Sequence, residues 1–192
     1  MDTQEEALNQ AHTPAPTPAP GSAPTPVLAP ALASAATAES RAAYFMREAL
    51  KEAHAAALAG EVPIGAVVVY DEDIIARAHN RRETDADPAA HAEFLAIEEA
   101  AHKLGRWRLT GCQVFVTLEP CLMCAGLMLN ARVDACSFGA WDPKAGALGS
   151  VYDLSCDPRL NHAFDVVPGI LADECGDELK CFFRARRQRA RE

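Results

Sequence analysis

Two short stretches, HAE at residues 91–93 and PCLMC at 120–124, constrain this chain more than anything else in it. For one histidine and two cysteines to act together, the segments carrying them must meet at one end of the fold. Cysteines spaced i, i+3 lie on one face of a helix, so the sulfurs of Cys121 and Cys124 can reach one ion. The positive end of a helix also favours the thiolate that a metal needs. His91 with two thiolates suits zinc and leaves a fourth tetrahedral position open, the arrangement of catalytic sites. Glu93 follows His91 by two positions, about 200° around a helix axis, so it cannot easily share the ion. It can lean over the open position and carry protons. The competing expectation is that a histidine near a helix start is a cap or a core residue, and that C-x-x-C alone is weak.

The segments around the quartet predict how it is presented. Residues 11–38, rich in Ala, Pro and Thr, have little to bury and repeated prolines, so residues 1–39 are expected to be a disordered tail. Ser40 is the expected N-cap of a first helix with Met46, Leu50, Ala53 and Ala57 on one face and Gly60 as its stop. VPIGAVVVY and IIARAHN read as a hairpin. Asp87 and Pro88 read as cap and first residue of a helix through PAAHAEFLAIEEAAHKLG, its face set by Phe94, Ile97, Ala101 and Leu104. CQVFVTL reads as a strand, and Pro120 opens the next helix. DACSFGA reads as a strand and AFDVVPGIL as extended. ADECGDELKCFFRARRQRA reads as a helix in which one of Phe182 and Phe183 belongs to the core. This order predicts an α/β sandwich with helices on both faces of one sheet over residues 40–192.

Composition removes several classes. Seven cysteines, an odd number in no small-scaffold pattern, argue against a disulfide framework. Cys112, Cys136, Cys156, Cys175 and Cys181 are expected to be small buried hydrophobes. No stretch is long and apolar enough to span a bilayer, and the N-terminus lacks the features of a secretory or organellar signal, so a cytoplasmic protein is expected. The net charge of −9 does not advertise nucleic-acid binding, yet Arg184, Arg186, Arg187, Arg189 and Arg191 crowd the C-terminus. That run is either a solvated helix face or an anion-binding surface.

HAE with LEPCLMCAG resembles the signature of the zinc-dependent cytidine and nucleobase deaminases. EVPIGAVVV, HN, DPAAHAE, VTLEPCLMCAGLMLNARV, FGAWDPKAGALGS, NHAFDVVPGILADEC and FFRARRQ together resemble the bacterial tRNA-specific adenosine deaminase family, over about residues 40–190. The resemblance implies a three-layer α/β/α sandwich around a mixed five-stranded sheet, the cytidine deaminase-like fold. It implies deamination of the wobble adenosine of a tRNA(Arg) anticodon to inosine, one Zn2+ per subunit, and a homodimer. His91, Cys121 and Cys124 would be the zinc ligands and Glu93 the proton shuttle. The main chain at Ala92 would hold the base edge. Asn80 would contact the target nucleotide, Asp142 would lie near its backbone, and Phe183, Arg184, Arg186 and Arg187 would flank the anticodon loop. From the residues alone, Asn80 reads as a turn asparagine and Asp142 as an Asx turn before Pro143. The rival expectations are a deaminase of a free base such as guanine or cytosine, and a non-catalytic zinc-stapled RNA-binding subunit.

Overall fold

The computed structural model describes residues 29–189 and 191. The elements run α1 (Ala29–Leu58), β1 (Gly65–Tyr70), β2 (Asp73–His79), α2 (Arg82–Asp85), α3 (Ala92–Leu104), β3 (Cys112–Leu118), α4 (Leu122–Ala131), β4 (Ala135–Ala140), β5 (Asp165–Pro168) and α5 (Ala172–Arg189). They build one five-stranded sheet in the order β2-β1-β3-β4-β5. Asp71 and Glu72, both at positive φ, close the β1–β2 hairpin in the two-residue turn that matches strand twist. β1 is antiparallel to β2 and β3, whereas β3, β4 and β5 run parallel. A parallel β3–β4 pair needs a crossover, and α4 is that crossover. The expected mixed sheet with helices on both faces is therefore present.

Period-two alternation in the strands divides the interior into two layers. Ala66, Val68, Val114 and Val116 face α3 and α4, where Ala96, Ile97, Ala125 and Met128 close the larger core. Val67, Val69 and Phe115 face the opposite way, onto Phe45, Met46 and Ala49 of α1 and Cys175 of α5. The α1 packing is close. A Cβ at Gly65 would overlap the Ala49 carbonyl oxygen, so only glycine lets the helix cross β1 there.

Three expected boundaries move. α1 begins at Ala29, so Ser40 lies inside the helix instead of capping it. After Pro30 that stretch is alanine-rich and free of proline, which favours helix. Residues 1–28 of the expected tail lie outside the described residues. α3 begins at Ala92, not at Pro88, because the Asp87 carboxylate accepts from the Ala89 N–H in a turn of its own at 2.8 Å. Its buried face consists of Ala92, Glu93, Ala96, Ile97 and Ala100, while Phe94 is only half-buried. Pro120 precedes the cap of α4 and does not open the helix. Its carbonyl instead accepts from Ala147 N–H at 2.8 Å. Among the cysteines, Cys156 and Cys181 are exposed, contrary to expectation, while Cys112, Cys136 and Cys175 are buried. Neither Phe182 nor Phe183 reaches the core. α5 packs on the sheet only through its first turns, at Cys175. None of the helices described is long and apolar enough to cross a membrane.

Candidate metal centre and substrate cleft

His91 and Cys121 occupy equivalent places, each the extended N-cap residue of its helix, α3 and α4. An N-cap side chain ordinarily accepts from the N–H groups of the first turn. Here neither makes a side-chain cap hydrogen bond. Both side chains turn to the space between the two helix ends, where Cys124 joins them from the first turn of α4. Crevices of this kind open beyond the carboxyl ends of parallel strands, here β3 and β4.

His91 Nδ1 lies 3.6 Å from Cys121 Sγ and 3.6 Å from Cys124 Sγ. The three donor atoms all lie within 4.8 Å of one another, and Glu93 is not part of that group. Tetrahedral zinc with ordinary bonds to imidazole nitrogen and thiolate sulfur separates N from S by about 3.6 Å. The donor set therefore fits zinc in size as well as in type, with three protein ligands and an open fourth position. The hydrogen bond from Cys124 draws the Cys121 thiol down to about 3, and the same bond, together with burial, raises Cys124 and keeps its proton in place. A cation replaces that proton and takes both sulfurs as thiolates.

Glu93, in the first turn of α3, is only 4% exposed. Burial pushes its carboxyl up to about 7. A carboxyl that exchanges its proton near neutrality, beside a nucleophile's position, is suited to general acid–base work.

Beside the metal donors lies a cleft of about 120 Å³ whose walls include Val62, Ile64, Asn80, His91 and Ala92. Asn80 is buried, and its backbone N–H donates to Ile64 O at 2.9 Å while the next N–H, of Arg81, donates to Ala90 O. The first bond ties the end of β2 to the start of β1, and the second ties it to the segment that leads into α3. Asn80 and Ala92 both line this cleft.

Asp142 shapes its own loop. Its Oδ1 accepts from the N–H groups of Lys144 and Ala145, the Asx turn that the residues alone predict. Phe183, Arg184 and Arg187 share a surface cleft of about 500 Å³ with Lys144. Arg186 and Arg189 face a separate cleft with Phe182, beside Ala57 and Gly60. The arginine run is therefore divided between two faces of α5.

Sequence reasoning missed two buried acids. Glu119, 2% exposed, accepts from the N–H groups of Asp142, Leu148 and Ser150 and from the Ser150 hydroxyl. It folds residues 142–150 around itself. A Cβ at Gly146 would overlap the Glu119 carboxylate, and Gly146 is bridged to Cys121. The metal-donor loop and the Lys144 loop are thereby one unit. Glu61, 1% exposed, accepts from Asn80 and Thr84. The signal for both was an acid set among apolar or turn residues with no basic neighbour in sequence, as in EVPIGA and LEPC.

Residues 39–140 match the family model for the cytidine and deoxycytidylate deaminase zinc-binding region. A tRNA-specific adenosine deaminase of Bacillus subtilis (strain 168) is 52% identical over 145 residues, covering 76% of this chain and 90% of that protein. One of Haemophilus influenzae is 43% identical over 144 residues, covering 74% and 83%. A solved structure from work on A-to-I editing by tRNA:A34 deaminases at the wobble position superposes with a TM-score of 0.69 at 44% identity, covering 71% of this chain and 99% of that one. A guanine deaminase of Nitrosomonas europaea superposes with a TM-score of 0.61 at 26% identity, covering 73% and 83%.

Proposed function

This chain belongs to the cytidine and deoxycytidylate deaminase zinc-binding family, among the tRNA-specific adenosine deaminases, and from that membership we propose that its substrate is the wobble adenosine of a tRNA(Arg) anticodon. The reaction is hydrolytic deamination of that adenosine to inosine. One observation supports an RNA substrate over a free base. On a chain of net charge −9, Lys144, Phe183, Arg184 and Arg187 gather cations and an aromatic ring on one face. The loop carrying Lys144 is hydrogen-bonded to the metal-donor loop. Phosphates and an unstacked base are what such a face receives. A free base needs neither.

His91 Nδ1 and the Cys121 and Cys124 thiolates would hold the zinc. Bound there, zinc supplies a Lewis acid that makes water nucleophilic near neutral pH. Glu93 takes a proton from the attacking water and delivers it to adenine N1, then takes the remaining proton of the new C6 hydroxyl and passes it to the amine, which leaves C6 as ammonia. The main-chain amides of Ala92, first in α3, and of Cys121, the cap of α4, at two positive helix ends, hold the base edge. Asn80 contacts the target nucleotide from the opposite wall. The low exposure of Glu93 keeps bulk water from its proton. The partners are the anticodon stem-loop and a second copy of the chain, in the cytoplasm.

The test is incubation of zinc-loaded protein with tRNA(Arg), followed by sequencing for an A-to-G change at the wobble base. Conversion there, with negligible turnover of free adenosine or guanine, is the expected result. Brisk turnover of free guanine with an unchanged tRNA would overturn the reading in favour of a free-base deaminase. A zinc-loaded protein that binds tRNA and converts nothing would make it an RNA-binding subunit.

A further inference from the structure

We propose that Glu61, in the loop between α1 and β1, is a positioning residue for substrate recognition, acting through the carboxamide of Asn80. This rests on the reading of Asn80 as a nucleotide contact. Glu61 is 1% exposed and comes from a different part of the chain than any metal donor. Its Oε2 accepts from Asn80 Nδ2 at 3.0 Å. Its Oε1 accepts from Thr84 N–H at 2.6 Å and from Thr84 Oγ1 at 2.8 Å. Both carboxylate oxygens are thus engaged as acceptors of donor groups.

That chemistry makes the pairing one-way. If the Asn80 amide turned over, Oδ1 would face Oε2 and two acceptors would meet without a hydrogen between them, a costly arrangement in a buried setting. Glu61 therefore keeps the NH2 end of Asn80 on itself. Oδ1 accepts nothing among the described residues. Since none of the buried side-chain nitrogens and oxygens described lacks a partner, Oδ1 is open to the cleft beside His91 and Ala92. Thr84, on the short helix α2, in turn prevents Glu61 from rotating away. Asn80 thereby offers the cleft an acceptor in one orientation before any substrate arrives, and the ordering cost is met in folding instead of binding.

Glu61→Gln tests this at nearly constant volume. An amide can donate from one end, so Asn80 is no longer held one way round. In zinc-loaded protein labelled with nitrogen-15, the Asn80 side-chain NH2 signals should be slow to exchange with water in the wild type and fast in the Gln variant. This readout is independent of any substrate, so it survives if the tRNA assignment fails. With tRNA, kcat/KM should fall roughly ten- to a hundred-fold, the usual effect of removing a supporting partner, while zinc content stays the same. In an Asn80→Ala background the same change should cost less than about two-fold, because neighbouring residues that act as one unit are not additive. Thr84→Val, which deletes only the hydroxyl hydrogen bond, should give a smaller decrease that also vanishes in the Asn80→Ala background, and it serves if Glu61→Gln folds poorly. Equal decreases with and without Asn80, or unchanged exchange of its NH2 group, would overturn the proposal.

Discussion

At the scale of single residues, the proposed roles separate holding from proton transfer. Three donors lie within 4.8 Å of one another, and Glu93, hydrogen-bonded to Cys124, is not among them, its carboxyl raised by burial to about 7. A ligand and a proton carrier fail differently when removed. Glu93→Ala should retain about one zinc per chain by metal analysis, yet lose roughly two to four powers of ten in turnover. Loss of the zinc from that variant would show Glu93 to be a ligand. Cys124→Ala should do the reverse, losing zinc first and activity with it. The thiols outside the metal site differ first in burial. Burial pushes Cys175 up to about 12 and raises Cys112 and Cys136 as well, whereas Cys156 and Cys181 are exposed. A maleimide should therefore modify two cysteines in the folded zinc-loaded protein, Cys156 and Cys181. The other three should react only after unfolding. Rapid labelling of Cys175 in the folded state would contradict the packing of α5 on β4.

At the scale of elements, the helix ends matter more than the helices. α3 and α4 each begin with a residue whose side chain is withheld from capping and turned to the metal position. What steadies α4 at that end is the loop of residues 142–150, gathered on Glu119 by three main-chain N–H groups and the Ser150 hydroxyl. Glu119→Gln turns one acceptor end into a donor facing donors. It should cost about 3 kcal/mol in urea unfolding of the zinc-loaded protein, since buried donors lose a charged acceptor. Because Gly146 and Ala147 bond the loop to the main chain at Cys121 and Pro120, zinc should also pass faster to a chelator in competition experiments. A stability change below about 1 kcal/mol would mean that the loop holds its shape without Glu119.

At the scale of the whole molecule, charge is sorted and not merely summed. The chain is acidic overall, and the arginines of α5 divide between a face with Lys144 and Phe183 and a face with Phe182 beside Ala57. Removing one arginine–phosphate pair should flatten the slope of log affinity against log salt by roughly 0.7–0.9. Replacing Arg184 and Arg187 together with glutamine should therefore flatten the slope for tRNA by more than about one unit and raise KM at moderate salt. Turnover at saturating tRNA should change less. Replacing Arg186 and Arg189 should flatten the slope less than the first pair does. Equal effects of the two pairs would show that the RNA wraps both faces.

The donor set, the carboxyl beside it and the layered α/β architecture were legible in the sequence because they rest on local rules. An i, i+3 pair shares a helix face and alternating strands have two faces, whatever lies elsewhere in the chain. Tertiary structure decided what depends on distant partners. Asn80 read as a turn residue until Glu61, brought beside it at the open end of the β1–β2 hairpin, took its NH2 group. Glu119 looked like an ordinary acid until a loop about thirty residues onward closed over it. The α3 face turned from Phe94 to its alanines because a helix lying close on the sheet buries small side chains, and sequence spacing alone does not show that separation. Hydrophobic periodicity acts within one element. The burial of a polar group depends on which other segment supplies its hydrogen-bond partners, and only the folded chain brings those segments together.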